Sequence, residues 1–306
     1  MPSVTNLHPI DVLLTNFAKE YKNNEYVGLQ LMPIYPVSKL SDAFTVYYRQ
    51  DSMSVPETTM GARSRARTID WRFGTDTYSC QLQAVNIALS QIEKDNSDIP
   101  EQQLRLRNTG MVQDQLLLRL EYEQSSLLTT TGTFGSNFVT LSGTDQWNYA
   151  GAGSTVDILS DIDTARAACA KPPTHILFGS EVWDIVKRDA SLISLIKDTR
   201  IGLITPQVIS ELFDIPNVII AKSQYSDASG NLSYLWGKHV VLAHVERPGP
   251  SGVMLGATFS TSAKHVVRTW LDPAVGGGSE FIEVNWNWDL KIVATDCGYL
   301  INDAIA

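Results

Sequence analysis

The residues of this chain that could catalyse a reaction or bind a metal are few and widely spaced. The histidines show neither an H-E-x-x-H motif nor a second ligand at zinc-site spacing; they are His8, His175, His239, His244 and His265. Cys169 and His175 could act as nucleophile and base, but Cys169 lies on the predicted apolar face of its helix, where buried, inert thiols are common. These side chains are better explained as core or surface residues.

Two other motifs could bind a ligand, and each has a simpler structural explanation. Gly151-Ala152-Gly153 precedes a predicted helix, but it lacks the third glycine and the lysine of a phosphate-binding loop. Asp157, Asp161 and Asp163 could form a carboxylate site, yet they fall in the first turns of that helix, where the helix dipole stabilises negative charge. The sequence therefore predicts no enzyme activity, no cofactor and no metal.

The composition is that of an ordinary globular protein. Hydrophobic residues make up 43% and charged residues 19% of the 306 residues, and no apolar run approaches the roughly 18 residues of a membrane helix. The N-terminus lacks the basic and apolar regions of a signal peptide. Three cysteines, Cys80, Cys169 and Cys297, fit neither a disulfide framework nor a zinc site. We expect a cytoplasmic chain with reduced thiols and no membrane partner.

The charge of the chain bears on its partners. With 33 acidic and 24 basic residues, it has no overall basic surplus for sequence-specific DNA binding. One basic cluster, Arg63, Arg65 and Arg67, alternates along a predicted extended segment and places three guanidinium groups on one face. They could contact phosphate or carboxylates. Because the chain is acidic and arginine is enriched at protein interfaces, a second copy of the chain is the favoured partner.

A long segment between residues 38 and 76 has no core of its own. Its apolar residues stand singly or in pairs among polar ones, and the alternation at 44–49 and 68–73 predicts two strands of a long hairpin. Structureless loops of this length are uncommon in compact domains and are usually functional. Such a hairpin needs a neighbour to pack against.

A long amphipathic helix is predicted after this hairpin. Asp98 and Glu101 match a capping box around Pro100, so the helix is expected to begin at Ile99 and to continue to residue 128, which is about 45 Å. One apolar stripe is predicted to contain Leu104, Met111, Leu118 and Tyr122, while Gln113 lies among the polar residues. Gly110 weakens the middle of this helix.

The rest of the chain predicts an α+β lobe followed by strands. Helices are expected at 154–170, after Ser180 and after Thr205-Pro206, and strands at 174–178, 217–221 and 234–245. Residues 257–302 form mostly strands, with a hairpin turn at 276–278. We expect these late strands to return to the lobe that precedes residue 154.

This order of elements, with the segment EYVGLQLMPIYPV before the hairpin, resembles that of the major capsid proteins of tailed bacteriophages. The resemblance implies an α+β fold of the Hong Kong 97 type, with an N-terminal arm, an extended β-hairpin loop, a long spine helix and an inserted axial α+β domain. The implied divisions are an arm at 1–30, the loop at 31–80, a peripheral domain at 81–153 with its spine helix at 99–128, an axial domain at 154–253 and C-terminal strands at 254–306 that return to the peripheral domain.

The resemblance also implies a function and partners. The chain would self-assemble into pentamers and hexamers of an icosahedral phage head around the double-stranded DNA genome. Assembly would occur in the host cytoplasm, and the product would be the capsid of the virion. No long charged helical segment precedes the arm, which implies a separate scaffolding protein. A portal protein would occupy one vertex, and packaged DNA would lie nearby without specific binding.

Contacts between copies are expected on the loop. Some members of the family crosslink a loop lysine, but the only loop lysine here, Lys39, lies near its base, so no covalent crosslink is predicted. Strand addition and buried apolar anchors would instead hold the copies together. The candidate contact residues are Tyr47, Tyr48, Arg63, Arg65, Arg67, Trp71 and Phe73.

Two other functions are compatible with these patterns. An encapsulin-like nanocompartment shell resembles the same fold but encloses cargo enzymes. A cytoplasmic hydrolase using the acidic residues of the middle lobe would be a compact monomer or dimer with a pocket. Contacts repeated around a ring distinguish the shell proteins from the hydrolase.

Overall fold

The structure is a computed structural model that describes residues 9–47, 55, 57–61, 65–66, 68, 73–151, 154–196, 204–246, 253–261, 265–275 and 278–306. The helices are α1 Val12–Glu20, α2 Gly28–Leu31, α3 Gln91–Asp95, α4 Glu101–Leu128, α5 Ile158–Ala168, α6 Ser180–Val186, α7 Ala190–Ile196 and α8 Pro206–Phe213. The strands are β1 Ile34–Val37, β2 Ser41–Tyr47, β3 Phe73–Ser79, β4 Gln81–Ser90, β5 Phe138–Thr140, β6 His175–Gly179, β7 Asn217–Ala221, β8 Gln224–Ser226, β9 Leu232–Tyr234, β10 Val240–Ala243, β11 Gly256–Thr261, β12 Val266–Asp272, β13 Ser279–Ile292 and β14 Gly298–Asn302.

The first of two five-stranded sheets is built around the long strand β13. Strands run in the order β1-β11-β13-β12, and β4 also pairs with β13. Alternate residues of β13 point to one face, where they pack with α1 and α4 in one core; they are Ile282, Val284, Trp286 and Trp288. This alternation is expected for a strand with one buried face, and it fixes α1 and α4 on the same side of the sheet.

The second sheet has the order β5-β14-β10-β6-β7. Every residue of β10 and most residues of β6 are buried, because apolar clusters cover both faces of the sheet. One cluster contains Ile158 of α5 and Phe213 of α8. The other contains Leu128, at the end of α4, and Met32. A strand covered on both faces is apolar throughout instead of alternating, so the two central strands are hydrophobic runs.

The long helix α4 begins two residues later than predicted. Its N-cap is Pro100, which makes no side-chain cap hydrogen bond, and Asp98 is not the cap. A proline disfavours helical geometry at the residue before it, which keeps Ile99 outside the helix. A complete capping box occurs instead at α3, where Ser90 accepts from the amide of Glu93 and Glu93 accepts from that of Ser90.

The buried face of α4 also differs from the prediction. Apolar side chains at Leu104, Leu116 and Leu120 are buried as the periodicity requires, but Met111 and Tyr122 are exposed. The buried surface also includes polar side chains; they are Asn108, Thr109, Gln113, Glu121, Gln124 and Ser125. Gln113, predicted on the polar face, is fully buried, because the helix contacts α1 and α2 as well as the sheet.

Predictions for the middle lobe are confirmed where the signals are local. The strand at 217–221 matches β7, and Thr205 caps α8 with Pro206 in its first turn. The helix predicted at 154–170 is shorter, Ile158–Ala168. The strand predicted at 234–245 is limited to β10, Val240–Ala243, because the chain turns at Gly237 with φ of 48° after β9 ends at Tyr234.

The late strands divide between the two sheets. Strands β11 to β13 join the first sheet with β4, as expected, but β14 pairs with β5 and β10 in the second. A short 3-10 helix, Thr295–Cys297, redirects the chain after β13 and buries Cys297. β14 thus pairs both with β5, which precedes residue 154, and with β10 of the middle lobe.

The three cysteines are free thiols; Cys80 and Cys297 are buried and Cys169 is partly buried. Within the described ranges, no helix combines the length and apolar character needed to cross a bilayer.

Candidate inter-subunit surfaces

The predicted hairpin contains an antiparallel pair of strands. β2 and β3 are aligned from Ser41 opposite Ser79 to Tyr47 opposite Phe73. This confirms two paired strands in the segment, although β3 starts where the predicted strand at 68–73 ends. We call β2, β3 and the residues that join them the ribbon.

An aromatic cluster fixes the base of the ribbon to the first sheet. Phe259 of β11 stacks on Tyr78 at 4.9 Å between ring centroids with an interplanar angle of 2°, and Phe44 lies at the same centroid distance from Phe259. The amide of Ser79 donates to Asp289 Oδ2 at 2.7 Å. Aromatic pairs of this kind add to the stability gained from buried area. The base is therefore held firmly in one position.

The predicted contact residues fall in different parts of the ribbon. Tyr47 and Phe73 form the backbone pair farthest from the base among the described residues, and Arg65 is exposed. The remaining candidates, Tyr48, Arg63, Arg67 and Trp71, lie outside the described residues.

Two exposed apolar residues of the ribbon were not among the predicted contacts. Val55 is 95% exposed and Met60 is 58% exposed. Single apolar residues in a polar segment give a weak sequence signal, because scattered surface hydrophobics are common in soluble proteins.

A network of charged side chains attaches α1 to the body. Asp11 caps α1 by accepting from the amide of Leu14 at 3.0 Å, and its Oδ2 lies 3.1 Å from Arg105 Nη2. The same Arg105 atom lies 2.8 Å from Glu280 Oε1, and Lys94 Nζ lies 2.9 Å from Glu280 Oε2. Partly buried, multi-member networks hold geometry better than single surface pairs. α1 is therefore firmly attached to α4 and the first sheet.

A buried carboxylate attaches the next part of the N-terminal region to α4. Glu121 Oε2 accepts from the amide of Gly28 at 2.7 Å, and Glu121 Oε1 accepts from the amide of Val27 at 3.1 Å. Oε1 also accepts from Trp236 Nε1 at 2.6 Å and from Ser223 Oγ at 3.4 Å. Burial is the largest influence on Glu121 and raises its pKa, while these hydrogen bonds act in the opposite direction.

This Glu121 cluster was missed by sequence reasoning. Glu121 lies on the buried side of α4, next to Leu120. Its position beside an apolar residue was the one sequence signal for a buried carboxylate. Gly28 is required there, since a Cβ at this position would overlap the side-chain oxygen of Gln124 and lie 2.8 Å from Glu121 Oε2. The cluster joins the N-terminal region, α4 and the segment around Trp236.

An open groove of about 520 Å³ lies where the end of α1 crosses the middle of α4. We call it the α1–α4 groove. Its walls are formed by Phe17, Tyr21, Leu106 and Met111, with Arg107 and Asp114 toward its two ends. Gly110 lies between these walls, and a Cβ there would make ordinary van der Waals contact with the rings of Phe17 and Tyr21, 3.8 Å away. The sequence indicated this glycine only as a weak point in the helix.

The residues considered for catalysis have structural partners. Asp161 accepts from Trp147 Nε1 at 2.8 Å, and Asp157 is the N-cap of α5. The Cys169 thiol donates to the carbonyl of Ala165 at 3.3 Å, and burial raises its pKa to about 12. His175 Nδ1 contacts Thr174 Oγ1 at 2.9 Å, and burial lowers its pKa. In the part of the chain that the structure describes, no group of three His, Cys, Asp or Glu could hold a metal ion.

Comparison with known proteins finds similarity over nearly the whole chain. The chain is 24% identical over 310 residues to the major capsid protein of Burkholderia phage BcepMu, covering 99% of both chains. It is 23% identical over 309 residues to that of Pseudomonas phage JBD67, covering 97% of this chain and 98% of the phage protein. Over nearly its whole length, the chain is thus similar to two phage proteins named major capsid protein. No family model matches it.

Solved structures with the same α+β fold include a phage-related protein, a phage capsid and an encapsulin. A phage-related protein from Bordetella bronchiseptica has a TM-score of 0.79 at 21% identity, covering 97% of this chain and 98% of that one. The capsid of cyanophage P-SCSP1u has a TM-score of 0.58 at 9% identity, covering 89% and 86%. An encapsulin from Synechococcus elongatus has a TM-score of 0.54 at 11% identity, covering 96% and 95%. At these identities the likeness concerns the fold alone.

Proposed function

We propose that this chain is a major capsid protein that self-assembles into the pentamers and hexamers of an icosahedral phage head enclosing a double-stranded DNA genome. The observation that carries the proposal is the match, over nearly the whole chain, to two phage proteins named major capsid protein. The exposed ribbon, held firmly at its base, supports the same function, since it offers apolar and basic side chains that its own chain leaves uncovered.

The Hong Kong 97 type of organisation is part of this proposal. Residues 1–30 form the arm, 31–80 the extended loop and 81–153 the peripheral domain, with α4 as its spine. Residues 154–253 form the axial domain around the five-fold and six-fold axes. Residues 254–306 return to the peripheral domain, and their last strand, β14, also pairs with β10 of the axial domain. The mixture of a helix-backed sheet and a second sheet covered on both faces supports this division.

The proposed partners are other copies of the chain, a separate scaffolding protein during assembly and a portal protein at one vertex. The packaged DNA would lie against the shell without being bound specifically, in agreement with a net charge of −9. Assembly would occur in the host cytoplasm, and the mature protein would reside in the virion. Its role is structural, as in its relatives, and we propose no enzyme activity.

An encapsulin-like nanocompartment shell is the second candidate. Its support is the encapsulin likeness, with a TM-score of 0.54, which is lower than the 0.79 of the phage-related protein. The curated relatives that match nearly the whole sequence are phage proteins, so the phage head is the better supported function. The hydrolase alternative has no comparable support.

Electron microscopy of the purified protein, alone and together with a candidate scaffolding protein, tests the proposal. A capsid protein is expected to give closed particles tens of nanometres across, or rings of five and six copies. DNA-filled particles in an infected host would separate a phage head from a nanocompartment. A uniform small particle under both conditions would contradict both shell functions.

A further inference from the structure

The outer edge of β4 is a long strand edge that the described residues leave unpaired. β4 pairs with β13 along its whole length, and β13 is its only sheet partner in the described part of the chain. Among the described residues, no backbone group between 82 and 89 forms a hydrogen bond outside this pairing. The backbone groups of such an edge are a template on which another strand can pair.

The other edges of the two five-stranded sheets, in the ranges that the structure describes, are short or covered. The segment before α1 covers the outer edge of β12, where Ile10 bridges to Arg268 and the amide of Asp11 donates to a carbonyl of β12. β1 has four residues and contains Pro36. The edge strands of the second sheet, β5 and β7, have three and five residues. β4 has ten, so its edge stands out.

β4 also lacks the features that prevent strand edges from pairing. Its sequence, QLQAVNIALS, contains no charged residue and no proline, and its register with β13 continues without a bulge. Charges, prolines and bulges are the usual protection of an exposed edge. In a chain with 19% charged residues, a ten-residue edge strand without any is suited to the addition of another strand.

A second β4 fits this edge. Val85 and Ile87 pack against the core of the first sheet but are only partly buried. When two β4 strands pair antiparallel with Asn86 opposite Asn86, Val85 of each copy lies opposite Ile87 of the other. In the same register Ala84 lies opposite Ala88. Apolar side chains that face one another across a strand pair stabilise it, and here no like charges meet.

This register also places α4 of both copies on one side of the joined sheet. Val85 and Ile87 belong to the face of β4 that packs with α4, and directly opposite residues of an antiparallel pair share a face. A shift of one residue would place the two helices on opposite sides. The two-fold axes of a closed shell run from its inside to its outside, so both copies must present the same face outward.

We propose that β4 pairs with β4 of a second copy about a two-fold axis, with Asn86 opposite Asn86, so that the first sheets of the two copies become one continuous sheet. This inference rests on the proposed function. Contacts around a ring of five or six copies are head-to-tail, whereas a two-fold contact uses the same surface of both copies. The β4 pairing therefore joins copies that belong to different rings.

A single cysteine tests the register. Asn86 is exposed, and directly opposite Cα atoms of an antiparallel pair lie about 4.5–5.5 Å apart, within the range of a disulfide. Particles of Asn86→Cys are oxidised with diamide and then denatured. They are expected to give about tenfold more covalent dimer than wild-type particles, which control for the native cysteines.

Alanines on either side of Asn86 provide the matched control. The two copies of Ala84 would be about 13 Å apart at 3.3 Å per residue, because each lies opposite Ala88. Ala84→Cys alone and Ala88→Cys alone should therefore remain monomeric. The double variant Ala84→Cys, Ala88→Cys should form dimers, because its cysteines meet across the pair but are about 13 Å apart within one strand.

Charges on the two-fold axis test whether assembly needs this pairing. In Asn86→Glu or Asn86→Lys like charges meet directly across the strands, so each variant alone is expected to lower the particle yield about tenfold or more. Co-expression of the two variants lets opposite charges meet and is expected to raise the yield about threefold or more above either alone. Asn86→Gln leaves the strand uncharged and should assemble like wild type.

The outcomes separate this inference from the proposed function. Absence of wild-type particles under all conditions would overturn both. Wild-type particles without dimers of Asn86→Cys would overturn the β4 pairing alone, and so would full particle yields from both charged variants. Dimers of Ala84→Cys alone would also overturn it, because the strands would not lie in this register. Circular dichroism of each variant checks that loss of assembly is not loss of folding.

Discussion

Glu121 shows how one side chain can hold distant parts of this chain together. Its carboxylate accepts from two backbone amides, an indole and a hydroxyl, contributed by residues about 100 positions away on both sides in sequence. It forms no ion pair among the described residues. Its negative charge is one of the influences that raise the pKa of Tyr26, after burial and Asp114. A buried charge without a counter-ion is tolerated only when hydrogen bonds replace its water.

The raised pKa of Glu121 predicts a specific pH dependence. A raised folded-state pKa means that the folded protein binds the proton more tightly than the unfolded chain. The contribution of Glu121 to stability is therefore fully present below its ordinary value of 4.5 and is lost as the pH rises through the folded-state value. In urea unfolding of the unassembled protein, the free energy of wild type minus that of Glu121→Gln should fall across this window.

A second variant checks that the effect arises at this cluster. Trp236→Phe removes the donor that lies 2.6 Å from Glu121 Oε1. Because this hydrogen bond lowers the pKa of Glu121, its loss should move the window to higher pH. A free-energy difference that stays flat or rises with pH, in either background, would contradict the assignment.

At Gly28, adding a single methyl group should be costly. A methyl group there would meet Gln124, whose Nε2 is held by a buried hydrogen bond to Thr258 Oγ1 at 3.1 Å. Overpacking of this kind costs about 1–3 kcal/mol, so Gly28→Ala should lower the urea midpoint. Gly132→Ala is the matched control, because a Cβ there has no neighbour within 4 Å, and its midpoint should change little. Equal midpoints in the two variants would contradict the prediction.

Polar clusters of this kind could not be predicted from the sequence. Periodicity identifies a buried face from apolar side chains, so the buried position of Leu104 was found while Gln113 was assigned to the wrong side. The pairing of Glu121 with Val27 and Trp236 depends on packing between distant segments. The α1–α4 groove depends in the same way on how two helices cross.

The ribbon is the element on which assembly is predicted to depend. Tyr47 and Phe73 are paired directly, so residues 48–72 can be replaced by Asn-Gly, which forms the tight two-residue turn of a hairpin. The base contacts of Phe44 and Tyr78 with Phe259 remain in place. The shortened protein is expected to fold with an unchanged unfolding midpoint and to form no particles.

Circular dichroism, size-exclusion chromatography and electron microscopy of this variant provide the measurements. Particle formation by the shortened chain would show that assembly does not need the ribbon. A matched insertion of two residues at Gly230, a β8–β9 turn position with φ of 83°, should leave assembly intact and controls for altered loop length.

Elements with local signals were predicted well. The strand β7, the N-cap of α8 and the length of α4 follow from turn residues, caps and periodicity. The start of α4 was misplaced because the effect of Pro100 on the preceding residue outweighed a plausible capping box. The partners of β14 were not predicted, because β5 and β10 lie about 160 and 60 residues away, and pairing at that distance leaves no local pattern.

At the level of the whole molecule, α4 and the N-terminal region are joined to the second sheet through a shared apolar cluster and the Glu121 cluster. Leu128 and Met32 lie in the same core as Leu177 and Leu300 of the second sheet. The ribbon is joined to this body only at its base among the described residues. A compact body with one projecting element is suited to contacts that repeat between identical copies.

The placement of β13 and β14 has a consequence for synthesis in the cell. β13 is the central strand of the first sheet, and β14 lies between β5 and β10 in the second. The first sheet therefore cannot close until residue 292 has emerged from the ribosome, and the second cannot close until residue 302 has. A prematurely terminated chain would lack the surfaces on which its neighbours depend, and translation itself would exclude truncated products from the growing shell.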